Sequence, residues 1–219
     1  MYDTLLLLPL FQGMSKADLT MILEKVRFNF LKFGDKDVIF RQGEQCDKLV
    51  FLLSGNITSE ISAPCGTFTL EEKINQPTVV EIHSLFGMNP TFKATYCAQG
   101  EAALLTIDKQ YIFRVMDLNM IFRINFFNLL SSKIHKMHEQ LWDIAPQGLE
   151  GRLTYLIRSL CTTTQGIKTL RIKMEDLANL LDDTRLNISN VLNKWQNQGL
   201  IEMRRKEFVF HDLERLSDI

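Results

Sequence analysis

The chain has 219 residues, a formal net charge of −1 and 46% apolar residues, which is an ordinary composition for a globular protein of one or two domains. No apolar run approaches the roughly 18–20 residues of a membrane-spanning helix, and the run at 5–8 is too short for a secretory signal. We therefore expect a cytoplasmic protein with no membrane contact. The four cysteines lack C-x-x-C or C-x-x-H spacing, so reduced thiols are expected and no metal site is predicted.

The first part of the chain shows the pattern of short strands. A helix is predicted at Lys16–Lys25, with Ser15 as its N-cap, and residues 27–33 alternate between polar and apolar as a half-buried strand does. The further predicted strands are Lys48–Leu53, Asn56–Ser62, Thr67–Leu70 and Ala102–Ile107. Glycines punctuate this region at roughly the 8–12-residue spacing of an antiparallel barrel or sandwich.

Between residues 109 and 143 the apolar pattern becomes helical, and neither Gly nor Pro interrupts it. One row with 3,4 spacing is predicted to meet its own copy in a dimer; it consists of Ile124, Phe127, Ser131, Ile134, His138 and Leu141. A second apolar row would pack on the strand domain; it contains Phe122, Phe126, Leu129, Leu130 and Met137. A helix that is wholly buried within one domain is the alternative that the pattern leaves open.

Pro146-Gln147-Gly148 ends this helix and marks a hinge, and another helix is predicted near Glu150–Leu160. Residues 172–198 then predict a helix-turn-helix. Its first helix is Met174–Leu181, with small Ala178 at the point where the second helix crosses. Asp182-Asp183 forms the turn, and either Asp183 or Thr184 caps the second helix, whose inward row is Ile188, Val191, Leu192 and Trp195.

The outward face of the second helix is free of acids and suits the major groove of DNA, where Arg can bind guanine and Asn can bind adenine. A solvated polar face is the alternative. A hairpin with a basic tip follows and is predicted to be a wing that lies against phosphates. The predicted DNA contacts are Lys173, Arg185, Leu186, Asn187, Ser189, Asn190, Lys194, Arg204, Arg205 and Lys206.

Charge balance is a difficulty for this interpretation, because residues 143–219 hold 11 Lys+Arg and 11 Asp+Glu, whereas DNA-binding domains are usually basic. The cations concentrate around the second helix and at 204–206. Asp182 and Asp183, however, lie close to the expected DNA face. We expect modest affinity for DNA that depends strongly on salt.

Segments along nearly the whole chain resemble the cyclic AMP receptor protein and fumarate-nitrate reductase regulator (CRP/FNR) superfamily. The matching segments are Leu8-Pro9-Leu10-Phe11, Val38-Ile39-Phe40-Arg41-Gln42-Gly43-Glu44, Leu49-Val50-Phe51-Leu52-Leu53-Ser54-Gly55, Ser84-Leu85-Phe86-Gly87, Thr184-Arg185, Ile188-Ser189-Asn190-Val191-Leu192 and Gly199-Leu200-Ile201. The resemblance implies an α+β fold. It comprises a double-stranded β-helix (β-roll, cyclic-nucleotide-binding-like) sensor at 1–108, a dimerisation helix and hinge at 109–145, and a winged helix-turn-helix at 146–219.

The resemblance also implies site residues. Arg185 falls where the family has a guanine-reading Arg, Leu186 where many members have Glu, and Asn190 where many have a second Arg, so the target sequence should differ. Asp182 stands at a turn position often held by Gly, which Asp tolerates better than most residues. The implied effector pocket consists of Phe86, Gly87, Met88, Asn89, Phe92, Lys93 and Thr95. Met88 and the aromatic residues Phe86, Phe92 and Tyr96 would line an apolar pocket or simply belong to the core.

Two departures bear on the cofactor. Cyclic-nucleotide binders of the family carry Glu directly after Phe-Gly and Arg-Ser or Arg-Thr further on, whereas this chain has Met88 and Phe92-Lys93. Cyclic AMP is therefore not expected, although a cyclic-nucleotide-responsive regulator stays an alternative. Iron–sulfur members have an N-terminal cysteine cluster; no cysteine precedes Cys46, so an iron–sulfur cluster is not expected either.

His135 and His138 lie three residues apart on the long helix and could hold a metal or a haem, and His83 could also serve a haem. A haem-based gas or redox sensor is therefore an alternative function. No nucleophile elbow or P-loop is present, so no enzymatic activity is expected. The expected partners are double-stranded DNA, a second copy of the chain and a small-molecule effector of unknown identity. RNA polymerase is a plausible further partner.

Overall fold

The computed structural model of the chain describes residues 2–142 and 146–216, without the side chains of Tyr2 and Leu141. The helices are α1 (Tyr2–Leu6), α2 (Lys16–Lys25), α3 (Lys109–Leu118), α4 (Met120–Trp142), α5 (Leu149–Leu160), α6 (Met174–Leu181) and α7 (Arg185–Asn197). The strands are β1 (Phe28–Phe33), β2 (Val38–Phe40), β3 (Lys48–Ser62), β4 (Phe68–Ile74), β5 (Thr78–Val80), β6 (Thr95–Asp108), β7 (Lys168–Ile172), β8 (Ile201–Arg204) and β9 (Glu207–Phe210). None of the described helices is both long and apolar enough to span a bilayer.

The described residues form two compact units. The N-terminal unit contains the residues up to Ile57 and Asn75–Leu141; the C-terminal unit contains Thr58–Ile74 and the described residues from Trp142 onward. The α+β fold class predicted from the sequence is confirmed, with a strand-rich domain first and helix-turn-helix last.

The N-terminal unit is built from antiparallel strand pairs. β1 pairs with β6 from Phe28↔Ile107 to Phe33↔Ala102, and β5 pairs with β3. The sequence predicted two strands within 48–62, but β3 runs through both because Gly55 takes φ +84°. A Cβ atom there would collide with the carbonyl of Glu101, so only glycine lets the strand continue at this point.

The prediction that one helix continues from residue 109 onward is wrong, because Asn119 divides that segment into α3 and α4. Asn119 has an extended backbone (φ −144°, ψ 118°), and its side-chain oxygen accepts the Phe122 backbone N–H at 3.0 Å. Asn119 therefore caps the N-terminus of α4. Asn side chains interrupt helices in this way because they can bond backbone N–H groups in place of the helical carbonyls. Neither Gly nor Pro was needed for the break.

The C-terminal unit is a winged helix-turn-helix with an additional strand. Its antiparallel sheet has the order β4-β7-β9-β8, and α5, α6 and α7 pack on a core that includes Leu153, Leu177, Leu192 and Trp195. β4 pairs with β7 over five residue pairs, from Phe68↔Ile172 to Glu72↔Lys168. The compact units thus divide the chain differently from the predicted domains, because residues 58–74 group with the C-terminal segment. The predicted functional boundaries at 108 and 145 stay predictions.

Buried and clustered charges hold β4 on β7. The Lys168 ammonium lies 2.9 Å from the Glu72 carboxylate, and both side chains are almost completely buried. Three carboxylates, those of Glu60, Glu71 and Glu207, surround the Arg171 guanidinium at 2.9–3.1 Å. Partial burial would lower the pKa of Arg171, but hydrogen bonds to Glu71 and Glu207 raise it instead.

Candidate DNA-binding surface, dimer face and effector loop

The turn of the helix-turn-helix is built by local hydrogen bonds. Asp182 ends α6 in the left-handed region (φ 49°), the conformation expected at a position often held by Gly. The N–H of Asp183 donates to the carbonyl of Ala178 at 3.1 Å. Thr184, rather than Asp183, is the N-cap of α7, because its hydroxyl accepts the Asn187 N–H at 3.2 Å. These contacts set the angle at which α7 leaves α6.

Asp183 is engaged within the turn. Its carboxylate accepts hydrogen bonds from the Asn187 side chain and the Thr184 N–H, both at 2.8 Å, and from Arg152 at 2.7 Å. These bonds, that of Asn187 foremost, lower the pKa of Asp183. Of the two acids near the predicted DNA face, Asp183 therefore serves the turn and is partly neutralised by Arg152, while Asp182 stays exposed.

The outward face of α7 carries mainly uncharged side chains. Leu186 is 70% exposed, Asn190 and Asn193 are exposed, and Ser189 is half-buried beside them. Arg185 at the start of the helix is exposed and forms a 2.9 Å ion pair with Glu175 of α6. Such an exposed pair contributes little to stability, so the guanidinium can exchange Glu175 for another anion at low cost.

Lys194 lies on a different side of α7 from Arg185. Nine residues at about 100° each place the two about 180° apart around the helix. The Lys194 ammonium contacts Glu150 of α5 at 2.9 Å, and the Trp195 indole N–H donates to the same carboxylate at 2.7 Å. The structure therefore places Lys194, a predicted DNA contact, in the packing of α7 on α5 and not beside Arg185. The Asn187 amide is likewise held by Asp183.

The wing has the predicted hairpin form. Arg205 and Lys206 form its exposed turn, with Lys206 in the left-handed region (φ 61°). Neither of these two side chains forms an ion pair within the described part of the chain, whereas Arg204 contacts both Glu202 and Glu207 at 3.3 Å. Lys173 is exposed at the N-cap of α6. Two of the three predicted wing cations are thus available to an external anion.

The helix α4 leaves one apolar face uncovered. Ile124, Phe127 and Ile134 are 50–64% exposed, and Ser131 and His138 of the same row are exposed as well. The Leu141 side chain lies outside the described part. Phe122 and Phe126, of the second predicted row, are buried in the N-terminal unit. Leu129 and Leu130 of that row are half-buried, and Met137 is 61% exposed. The second row is therefore packed in its first part only, which corrects the prediction for Met137.

The predicted effector-pocket residues differ in burial and in the contacts that they make. Phe92 is buried and stacked on Phe40, with ring centroids 4.4 Å apart, so it belongs to the core. Phe86 contacts Phe126 of α4 (centroids 6.1 Å apart), and Met88 is fully exposed. Tyr96 is buried and contacts Phe92 edge to face, with ring centroids 6.4 Å apart, so these two side chains share one aromatic cluster. An effector pocket at these residues stays a prediction.

The polar members of the predicted pocket are exposed or form separate hydrogen bonds. Gly87 and Asn89 are exposed, and the Lys93 ammonium donates to the Thr91 hydroxyl at 3.0 Å. The Thr95 hydroxyl accepts the Gln42 N–H at 3.0 Å, which ties the start of β6 to another loop. A pocket is present elsewhere in the N-terminal unit; it is lined by Thr4, Leu5, Phe30, Leu53, Ser54 and Ala103.

Beside the predicted pocket lies Glu81, a buried carboxylate that the sequence analysis missed. It accepts hydrogen bonds from the backbone N–H groups of Lys93 and Ala94 and from the hydroxyls of Ser84 and Tyr96. The signal was present in the sequence, because Glu81 interrupts the apolar run of Val79, Val80 and Ile82. An acid inside such a run is buried and needs partners.

The histidines are not gathered into a ligand set. His135 and His138 are both exposed on α4, and His83 Nδ1 lies 3.4 Å from the Lys133 ammonium. Burial and the neighbouring ammonium lower the pKa of His83. Among the described residues, no group of three or more His, Cys, Asp or Glu side chains is arranged to hold a metal ion.

Solved structures show the same fold at low sequence identity. A protein assigned to the Crp/Fnr family of transcriptional regulators from Eubacterium rectale is 19% identical, with a TM-score of 0.55 and 96% of each chain covered. The catabolite activator protein of Thermus thermophilus is 17% identical, with a TM-score of 0.51 and coverage of 96% of this chain and 97% of that one. The c-di-GMP responsive global regulator CLP of Xanthomonas campestris is 17% identical, with a TM-score of 0.52 and coverage of 90% and 99%.

Family models match both parts of the chain. Residues 30–119 match the cyclic nucleotide-binding domain, and residues 151–219 match the Crp-like helix-turn-helix domain. No curated protein sequence is significantly similar to the chain. A strand-rich domain of the first kind followed by a DNA-binding domain of the second kind shows that the chain belongs to the CRP/FNR family of DNA-binding transcription regulators.

Proposed function

We propose that the protein is a homodimeric regulator that inserts the N-terminal half of α7 into the major groove. The observation that carries the proposal is the exposed strip of Leu186, Asn190 and Asn193, with the Arg185 guanidinium beside it. Arginine binds guanine, asparagine binds adenine, and leucine can contact the thymine methyl group. In this geometry Arg205 and Lys206 of the wing would lie against phosphates and position the helix.

A second copy of the chain is proposed to cover the apolar face of α4. The row from Ile124 to His138 has the 3,4 spacing of a two-helix coiled coil, and its large side chains are otherwise in water. A symmetric pair would present two α7 helices to half-sites about one helical turn apart. The expected target is therefore an imperfect palindrome in the DNA of a bacterial cytoplasm, where RNA polymerase is a plausible further partner.

The strand-rich domain is proposed to respond to a signal other than cyclic AMP. Met88 stands where cyclic-nucleotide binders have Glu, and it points into solvent. The N–H groups of Lys93 and Ala94 are already bound to the chain's own Glu81. A phosphate buried there would have neither a bidentate cation nor free amide donors, which makes its desolvation costly.

Selection from a random duplex library at low salt, followed by gel-shift titration at two salt concentrations, tests the proposal. We expect enrichment of a palindromic site and a steep loss of affinity as salt rises. Sedimentation of the free protein should show a dimer. The matched control is Arg215→Ala, which removes an exposed cation of the same unit that belongs to neither α7 nor the wing and should not change affinity. Failure to enrich any sequence, or enrichment of an asymmetric site by a monomer, would overturn the proposal.

A further inference from the structure

One carboxylate of the N-terminal unit is buried among neutral hydrogen-bond donors. Glu81 Oε1 accepts from the Lys93 N–H (3.1 Å), the Ala94 N–H (3.0 Å) and the Tyr96 hydroxyl (3.0 Å). Its Oε2 accepts from the Lys93 N–H (2.8 Å) and the Ser84 hydroxyl (2.7 Å). Glu81 itself is only 7% exposed. Both oxygens are thus satisfied by donors that converge from two separate segments of the chain.

The arrangement has the chemistry of an oxoanion site. Convergent backbone N–H groups and hydroxyls are the donors that proteins use to hold carboxylates and phosphates. Among the described residues no lysine or arginine side chain forms an ion pair with Glu81, and the Lys93 ammonium is directed to Thr91 instead. The donors, and not a countercation, stabilise the negative charge.

The backbone of Glu81 is adapted to this position. The residue takes φ 41° and ψ 43°, a left-handed conformation that is unfavourable for a residue other than glycine and needs support from its surroundings. On the other side of the site, Phe92 is packed in the core directly before the two donating N–H groups. The donors are therefore held in place by the core, and the Glu81 carboxylate is brought to them.

We propose that the Lys93 and Ala94 N–H groups, with the Ser84 and Tyr96 hydroxyls, form an oxoanion-binding site that the chain's own Glu81 carboxylate occupies. The inference rests on the proposed function in taking this domain as the sensor. A free carboxylate or phosphate binds these donors only when Glu81 is removed. The loop that follows β5 is then ordered without an anionic effector, so an effector acts on this domain at other atoms.

Chemical rescue of Glu81→Ala tests the proposal without knowledge of the effector or the DNA target. The variant should unfold at a temperature lower by about 5 °C or more. Formate, acetate or phosphate should restore part of the loss in a saturable manner, relative to chloride at equal ionic strength. The carboxylate and phosphate arms show which oxoanion the site accepts. The matched control is Glu101→Ala, which removes an exposed carboxylate from β6 and should show no rescue.

Further measurements keep the test decisive. If Glu81→Ala does not fold in chloride, its refolding yield in formate is compared with that in chloride, and no gain contradicts the proposal. Glu81→Gln still fills the site, so its melting temperature should not respond to formate; rescue equal to that of Glu81→Ala would overturn the site. Stabilisation of the unmodified protein by formate that is as large as that of Glu81→Ala would do the same. None of these outcomes bears on duplex binding by α7, so the two proposals fail separately.

Discussion

The two units of the chain bury and expose charge in opposite ways. The C-terminal unit buries a direct ion pair, Lys168 with Glu72, and exposes a polar helix face on α7. The N-terminal unit buries a carboxylate held by neutral donors, Glu81, and exposes an apolar helix face on α4. The difference is instructive because each exposed face suits a different class of partner.

A polar face that can read base edges suits DNA, and an apolar face suits only another apolar surface. The buried charges of the two units differ as well. A buried ion pair fixes strand register, since a slip of one residue between β4 and β7 would separate Lys168 from Glu72 and leave two unpaired charges. The neutral donors around Glu81 do not fix a strand register through a charge pair, but they can hold a different anion.

The largest expected effect comes from breaking the buried pair. Lys168→Met leaves the Glu72 carboxylate buried without its cation and should reduce the free energy of unfolding by about 3–5 kcal/mol. The double variant Lys168→Met/Glu72→Met should recover most of that loss, because a buried pair replaced by apolar side chains is close to neutral. Urea unfolding, followed by the fluorescence of buried Trp195 in a Trp142→Phe background, measures the free energy of unfolding of each variant. A double variant as unstable as the single one would contradict the role given to the pair.

The apolar face of α4 is tested by adding a charge to it. Ile134→Glu should weaken dimer formation by a factor of about 100 or more, equivalent to about 2.7 kcal/mol, because the carboxylate would be buried without a partner. Sedimentation at several protein concentrations measures the dimer, and gel shift should show a parallel loss of duplex binding. Ser132→Glu adds the same charge to an exposed position outside the row and is the control. Equal behaviour of the two variants would show that this face meets no partner.

The polar face of α7 gives the next effect. Arg185→Ala should lose about 1–3 kcal/mol of discrimination at one base pair of the selected duplex, whereas Arg205→Ala should weaken all duplexes alike and reduce the salt slope by about 1. Lys194→Met should change duplex affinity little, because the Lys194 ammonium is paired with Glu150 of α5. Anisotropy titrations with the selected site and a single-base variant separate these cases. A loss at Lys194 as large as that at Arg185 would contradict the assignment of faces.

Local patterns were sufficient to predict the helix-turn-helix. The bounds of α6 follow from turn residues and helical periodicity within one short segment, and the same pattern narrowed the cap of α7 to Asp183 or Thr184. The break at Asn119 was missed because the residue caps a helix in a stretch whose apolar period continues through it. The pairing of β4 with β7 was missed because Glu72 and Lys168 lie far apart in sequence. Long-range contacts of this kind leave no periodic signal.

The Glu150 carboxylate combines the two kinds of partner found at Glu72 and Glu81. It contacts one ammonium, that of Lys194, and accepts one neutral donor, the Trp195 indole N–H. Burial alone would raise the pKa of Glu150, but hydrogen bonds from Lys194 and Trp195 lower it below its ordinary value. Its stabilising contribution is therefore complete above the unfolded pKa of about 4.3 and is lost as the pH falls through the folded value. The urea midpoint of the unmodified protein should exceed that of Glu150→Gln at pH 7, and the difference should shrink below about pH 4. A difference that stays constant across this range would mean that shape, and not charge, holds α7 on α5.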